Sequence, residues 1–184
     1  MTLNPQVVLL DRDGVINSDS DAYIKSVGEW RPLPGSLAAI ARLHAAGYPI
    51  GVLTNQSGVG RGLYSMETLG DIHRHMLEQI QAVGGEVQRI FICPHAPGDG
   101  CLCRKPQPGM LLEAAEHFAC GVDNMVFVGD KASDVAAARA AGVQPVLVRT
   151  GYGDDTIREW ADGELPPVYD DLAAFAADLL GAER

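Results

Sequence analysis

Short apolar runs, each closing on polar residues, alternate along this chain with stretches whose apolar residues recur at helical spacing. "QVVLLD", bounded by Pro5 and Gly14, reads as a buried strand, and "YPIGVLTN", "VQRIFI", "NMVFVGD" and "QPVLVRT" repeat the pattern. Between them "SLAAIARLHAAG" stops at Gly47, while "SMETLGDIHRHMLEQIQAVGG" takes Ser65 as its N-cap and stops at Gly84. "PGMLLEAAEHFA" opens with Pro108 in a first-turn position, "SDVAAARAAG" is a short helix, and "YDDLAAFAADLLGA" closes the chain as a helix. Such an alternation buries its apolar faces as a parallel sheet with helices on both sides. The sequence therefore predicts an α/β, Rossmann-like fold of about five parallel strands. One domain over residues 1–184 is expected, without a large inserted cap domain.

Apolar residues make up 47% of the chain, enough to fill a core without disulfides. A net charge of −10 argues against nucleic acid, which is bound by neutralising phosphates. No apolar run is long enough to cross a bilayer, and "MTLNPQVVLLDRDG" lacks the basic region and cleavage site of a signal peptide. A cytoplasmic monomer is expected, its cysteines being reduced thiols or metal ligands. A small anionic substrate remains compatible, because it feels a local pocket and any bound cation more than the total charge.

In open parallel sheets, ligands bind outside the carboxyl ends of the strands. Here those ends carry Asp11 and Asp13, Thr54 and Asn55, Asp130, and, through the cysteine-rich loop after the third strand, Arg104 and Lys105. A calcium loop counted from Asp11 fails, because Val15 and Ile16 occupy the positions that need an oxygen ligand and glycine. Asp130 beside Asp11 would be repelled unless a cation bridged them, and hard carboxylates with room for phosphate oxygens suit Mg²⁺. Asp134 either joins that ion through water or is a first-turn acid favoured by the helix dipole. Thr54 and Asn55 either donate to phosphate oxygens or cap a turn. "GVGRG" lacks the Lys-Ser/Thr of a phosphate loop and reads as a rim.

Cys93, His95, Cys101 and Cys103 have the spacing C-x-H-x5-C-x-C, and three thiolates with an imidazole match tetrahedral Zn²⁺. Four protein ligands leave no position for substrate or water, so this zinc is structural. Its last ligand immediately precedes Arg104 and Lys105, whose side-chain freedom costs ~1.5–2 kcal/mol each to restrict. Loss of zinc should therefore loosen this loop and abolish activity. Cys120 reads as a small core residue, and His44, His73, His75 and His117 as partly solvated helix surface.

"DRDG", "LTN", the lysine of "CRKP" and "VGDKASD" resemble, in order, the four motifs of the haloacid-dehalogenase-like (HAD) phosphohydrolases. The resemblance implies that Asp11 is the nucleophile and forms an aspartyl-phosphate, and that Asp13 protonates the leaving oxygen and later deprotonates water. It implies Mg²⁺ held by the Asp11 carboxylate, the Asp13 backbone carbonyl and Asp130, with Thr54 and Lys105 on the transferring phosphoryl group. For Asp13 to serve as an acid, neighbouring carboxylates should raise its pKa. Substrate contacts are expected from Asp19, Asn55, Gln56, Ser57, Arg104 and Lys131.

Within the family, "SGVGRG" and "PQPGML" resemble the branch that removes the 7-phosphate of D-glycero-D-manno-heptose 1,7-bisphosphate in heptose synthesis for lipopolysaccharide. "DRDG", "TNQ" and "CRKP" are shared with the histidinol phosphatase branch, which stays open. "SDSDAYIKS", after Asn17, departs from the heptose branch in lacking a turn glycine and in being one residue longer. Two non-enzymatic readings also remain: a phospho-accepting receiver, which would carry its aspartate on the third strand, and a zinc-stabilised interaction domain.

Overall fold

The computed structural model describes residues 4–161 and 163–181. The first residues of the segment read for a signal peptide, the ends of the expected 1–184 domain and Ala182 of the closing helix lie outside the described residues. The strands are β1 (Val7–Leu10), β2 (Ile50–Asn55), β3 (Arg89–Cys93), β4 (Met125–Gly129), β5 (Gln144–Val148) and β6 (Val168–Tyr169). They form one parallel sheet in the order β3-β2-β1-β4-β5-β6.

The sheet thus has six strands rather than about five. Val168–Tyr169 is too short to show a period, and Tyr169 belongs to this edge strand rather than to the closing helix. The helices are α1 (Ser36–Ala45), α2 (Ser57–Gly60), α3 (Met66–Ala82), α4 (Gly109–His117), α5 (Ala132–Ala141), α6 (Gly153–Arg158) and α7 (Leu172–Gly181). Ser65 caps α3 as expected, its hydroxyl oxygen accepting the Thr68 N–H at 3.0 Å. Pro108 is the N-cap of α4 rather than a first-turn residue. That helix ends at His117, so Cys120 sits in the following turn, half-buried at the margin of the core.

Alternation along β1 builds the two layers. Val8 and Leu10 point into a core shared with Ile40 and Leu43 of α1, Ile72 and Met76 of α3 and Phe175 of α7. Val7 and Leu9 point the other way, onto Met110 and Leu111 of α4 and Ala137 and Ala138 of α5. Every β1 residue is buried, and each such Leu or Val contributes roughly 1.5–3 kcal/mol, a rigid base for buried charges at the strand ends.

The chain order reverses beside β1, which has β2 on one side and β4 on the other. At such a switch point the connections leave to opposite faces and open a crevice at the carboxyl ends of the strands. Asp11 follows β1 into that crevice, its N–H still bonded to Val128 O at 2.8 Å, and Asp130 follows β4 beside it. β3 carries no carboxylate, which removes the receiver reading. None of the described helices is long and apolar enough to cross a membrane.

Candidate active site

A cleft of about 580 Å³ opens over the strand ends and is lined by, among others, Asp11, Asp13, Gln56, Arg104, Lys105 and Lys131. Asp11 is only 5% exposed. Its Oδ1 accepts the Arg12 N–H at 2.8 Å and lies 2.8 Å from Lys105 Nζ. The same ammonium reaches Asp134 Oδ1 at 2.8 Å and Leu53 O at 3.2 Å, so each of its three protons has a partner. Asn55 holds the backbone beneath it: its amide donates to Lys105 O at 3.1 Å and accepts the Lys105 N–H at 3.2 Å. Asn55, read either as a donor to phosphate oxygens or as a turn cap, lines the cleft and uses its amide to hold the lysine's backbone.

Asp130 is fully buried. Its Oδ2 accepts the Tyr152 N–H at 2.8 Å, whereas Oδ1 has no hydrogen-bond partner among the described residues. Gly14, at φ +85°, and Gly151, at φ +61°, pass so close that a β-carbon at either would collide with this carboxylate. Both therefore have to be glycine, for the positive φ as well as for the space. Carboxylate oxygens of Asp11, Asp130 and Asp134 all lie within 4.8 Å of one another.

Burial is the main cause that pushes Asp11 up to about 7, against the pull of Lys105. Burial, then Asp11 and Asp134, push Asp130 up to about 8. For Lys105, burial disfavours the ammonium, but Asp11 and Asp134 outweigh it and hold the charge well above the ordinary lysine value. Two carboxyls strained against ionisation, one with an orphaned buried oxygen, fit a hard divalent cation. Asp134 turns its other oxygen to the N–H groups of Asp130 and Lys131 at 3.2 and 3.0 Å, so it is both a first-turn acid and a partner of Lys105.

Asp13 differs from expectation. Burial raises its pKa, but the Arg12 guanidinium and hydrogen bonds from Asn17, Arg12 and Gln56 more than offset that, leaving it below the ordinary carboxylate value. Its dominant neighbours are donors, not the carboxylates expected to keep it protonated.

Arg12 was not singled out in the sequence, although it is 1% exposed. An arginine carried into the interior between two acids needs an anionic partner, and that was the available clue. His73 is a second correction. It is 6% exposed rather than solvated, because it falls on the apolar stripe of α3 with Leu69, Ile72, Met76 and Ile80. Burial, with Arg12 beside it, pushes it down to about 3, so the neutral ring accepts Arg12 Nη1 through Nε2 at 3.1 Å.

Of the remaining expected contacts, Gln56, Ser57, Arg104, Lys131 and Asp19 line the cleft, and Thr54 lies buried beneath it. The Thr54 hydroxyl oxygen accepts Gln56 Nε2 at 2.7 Å. Lys131 Nζ lies 2.6 Å from Asp19 and 4.7 Å from the Tyr152 ring centroid, and Tyr152 bonds Asp21. These contacts tie the segment after Asn17 to the opposite wall.

Cys93, His95, Cys101 and Cys103 converge, with their ligand atoms within 4.8 Å of one another. Cys93 Sγ lies 3.7 Å from Cys101 Sγ and 3.6 Å from His95 Nδ1, and Cys103 Sγ lies 3.3 Å from that nitrogen. A tetrahedral zinc with bonds of roughly 2.3 Å to sulfur sets its thiolates about 3.7 Å apart, so the cluster is compatible with zinc. The loop ends at Arg104 and Lys105, as the sequence order implied, with Arg104 Nη1 3.4 Å from His95 O.

A family model described as HAD-hydrolase-like matches residues 102–175. The D-glycero-beta-D-manno-heptose-1,7-bisphosphate 7-phosphatase of Pseudomonas putida is 50% identical over 95% of this chain and 99% of its own length. The crystal structure of the D,D-heptose 1,7-bisphosphate phosphatase of Bordetella bronchiseptica, complexed with magnesium and phosphate, superposes with a TM-score of 0.94 at 47% identity. It covers 96% of this chain and 99% of that one. The corresponding enzyme from Burkholderia thailandensis, at 42% identity and a TM-score of 0.76, covers 95% and 98%. A likeness of this degree, over nearly the whole of each chain, places the chain in the heptose-1,7-bisphosphate 7-phosphatase family of HAD-like hydrolases.

Proposed function

We propose that this chain is a Mg²⁺-dependent phosphatase that removes the 7-phosphate of D-glycero-β-D-manno-heptose 1,7-bisphosphate. The observation that carries the reading is the meeting of Asp11, Lys105 and Asp130 at the switch point between β1 and β4. Mg²⁺ held by the Asp11 carboxylate, the Asp13 carbonyl and Asp130 would neutralise charge on the phosphoryl oxygens. An Asp11 oxygen attacks the 7-phosphorus, and the bond to the sugar oxygen breaks as that oxygen takes a proton from Asp13. Asp13 then removes a proton from water, whose oxygen attacks the aspartyl-phosphate, freeing phosphate and the Asp11 carboxylate. Lys105 neutralises charge next to the nucleophile, and Thr54 supplies a hydroxyl below the phosphoryl group.

Arg104, Lys131, Asp19, Gln56 and Ser57 would meet the rest of the substrate from the cleft walls, and Asn55 acts through Lys105. Zn²⁺ on Cys93, His95, Cys101 and Cys103 would hold the loop that delivers Arg104 and Lys105. The histidinol phosphate reading has no counterpart among the relatives described above.

Phosphorus NMR of the reaction with Mg²⁺ should show loss of the 7-phosphate signal and retention of the 1-phosphate, faster than release from histidinol phosphate. Preference for histidinol phosphate would overturn the substrate. No release from either by folded, metal-loaded protein would overturn the reaction.

The raised Asp11 and Asp130 values fix how this site responds to pH. Without metal, the native state binds more protons at these carboxyls than the unfolded chain does, from about pH 4 to about pH 8. Their contribution to stability therefore falls as pH rises through that window. Mg²⁺ binds the ionised form, so its stabilisation grows with pH. At 100 times its Kd it contributes ~2.7 kcal/mol, or roughly 5–10 °C in Tm. Melting curves at pH 5.5 and 8, with and without Mg²⁺, should show the larger shift at pH 8; an equal shift would contradict the site.

A further inference from the structure

Every acceptor position of Asp13 is taken. Oδ1 receives Arg12 Nε at 3.0 Å, Arg12 Nη2 at 2.9 Å and Asn17 Nδ2 at 2.9 Å. Oδ2 receives the same Nη2 at 2.9 Å and Gln56 Nε2 at 2.9 Å. A carboxylate offers about four lone-pair sites, so none is left for the leaving oxygen of a substrate. Asp13 lines the cleft yet faces away from it in bonding terms.

To act on the ester it has to leave the fork and later return. What it leaves is fixed in place. Arg12 is buried, and its remaining Nη1 is anchored on His73 Nε2 of α3 at 3.1 Å. Gln56 is likewise held by the Tyr64 hydroxyl, which donates to Oε1 at 2.7 Å. Gly58 leaves the space that the Tyr64 ring fills.

We propose that Arg12, braced by His73, is a positioning residue that parks Asp13 in a fully bonded resting geometry and releases it to the ester oxygen without moving itself. Arg12 is 1% exposed with its guanidinium spent on Asp13 and His73, and His73 stands outside the cleft lining, so both act through Asp13. Once clear of the guanidinium, the Asp13 carboxylate takes a proton from water in the cleft and passes it to the sugar oxygen as the P–O bond breaks, the bond's electron pair staying on that oxygen. The resulting carboxylate is received again by the fork. Without the brace, the guanidinium follows the departing carboxylate as a moving ion pair and blocks its approach to the ester. The idea rests on the phosphatase reading but concerns only the leaving-group step.

The test compares two substrates that differ in need of an acid. A sugar alkoxide cannot leave without a proton, whereas p-nitrophenolate can. His73→Leu removes the acceptor for Arg12, and His73→Gln restores one through its amide oxygen. With Mg²⁺, His73→Leu should lower kcat on heptose bisphosphate about 20-fold and on p-nitrophenyl phosphate less than about threefold, part of the 10²–10⁴ that a general acid supplies. His73→Gln should recover most of the sugar-phosphate rate. Arg12→Lys, which replaces the fork by a single point charge, should give the same selective loss and serves if His73→Leu does not fold. Equal losses on both substrates, no loss on either, or no recovery in His73→Gln would overturn the proposal. Those results would leave Asp11 as nucleophile, whereas wild-type protein inactive on both substrates would strike the phosphatase reading itself.

Discussion

Asp11→Asn should lower kcat on heptose bisphosphate by at least ~10⁴-fold, about 5.5 kcal/mol of transition-state stabilisation, while the protein remains folded. The amide keeps the shape and an acceptor for the Arg12 N–H but cannot form the acyl-phosphate. The same change should raise stability. Asp11 is pushed up to about 7 chiefly by burial, so above that pH its ionised form opposes folding. Metal-free Asp11→Asn protein should then melt a few degrees above wild type at pH 8, with the gap closing toward pH 5, where the native carboxyl is protonated. An inactive variant of raised Tm is the expected signature of a side chain retained for chemistry at a cost in stability. Thermal melts by circular dichroism alongside phosphate release check both parts.

Lys105→Met should be damaging in both respects. Lys105 is buried, with Asp11 and Asp134 each at 2.8 Å. Methionine preserves much of the volume over the Phe127 ring, which lies 5.2 Å from Nζ, but leaves two buried carboxylates facing each other. Breaking one side of a buried ion pair costs about 3–5 kcal/mol. Loss of the cation beside the nucleophile should lower kcat on the order of 10³-fold. The stability loss has a defined pH sense. Without the ammonium, Asp11 moves up further from its value of about 7, so the variant binds more protons than its unfolded chain over a wider range. Its deficit in Tm relative to wild type should thus widen from pH 5 to pH 8 and narrow again when Mg²⁺ is added. A deficit independent of pH would place the lysine outside the carboxylate cluster.

The sheet and the carboxylate cluster were legible because they rest on long-range regularities. Apolar runs that end in polar residues fix strand ends, and a parallel sheet brings those ends to one edge. Asp11, Asp130 and, through the loop after β3, Lys105 follow from that, whereas Cys93, His95, Cys101 and Cys103 were legible from their own ligand spacing. What escaped depended on side-chain direction. β6 spans Val168–Tyr169, too short for a period to show.

The state of Asp13 was misjudged because proximity in sequence suggested carboxylate neighbours, whereas the turn at Gly14 presents it to Arg12, Asn17 and Gln56. For Asn55 the sequence left a phosphate donor and a turn cap both open; only the fold reveals that the Lys105 backbone comes close enough to bond its amide. His73 was read as surface, although its place on the Leu69–Ile80 stripe of α3 already marked it as buried. The stripe outranks the residue type when a partner such as Arg12 is within reach.

The proposed chemistry depends on Asp11 and Asp130 sharing a divalent ion closely enough for Asp11 to receive phosphorus. A single turnover with substrate labelled in the 7-phosphate, quenched in acid within the first turnover and digested for mass spectrometry, measures this directly. Label on the peptide containing Asp11, formed with Mg²⁺ and absent without it or in Asp130→Asn protein, is the predicted result. Label appearing only as free phosphate at every quench time, with no protein-bound phase during turnover, would contradict it.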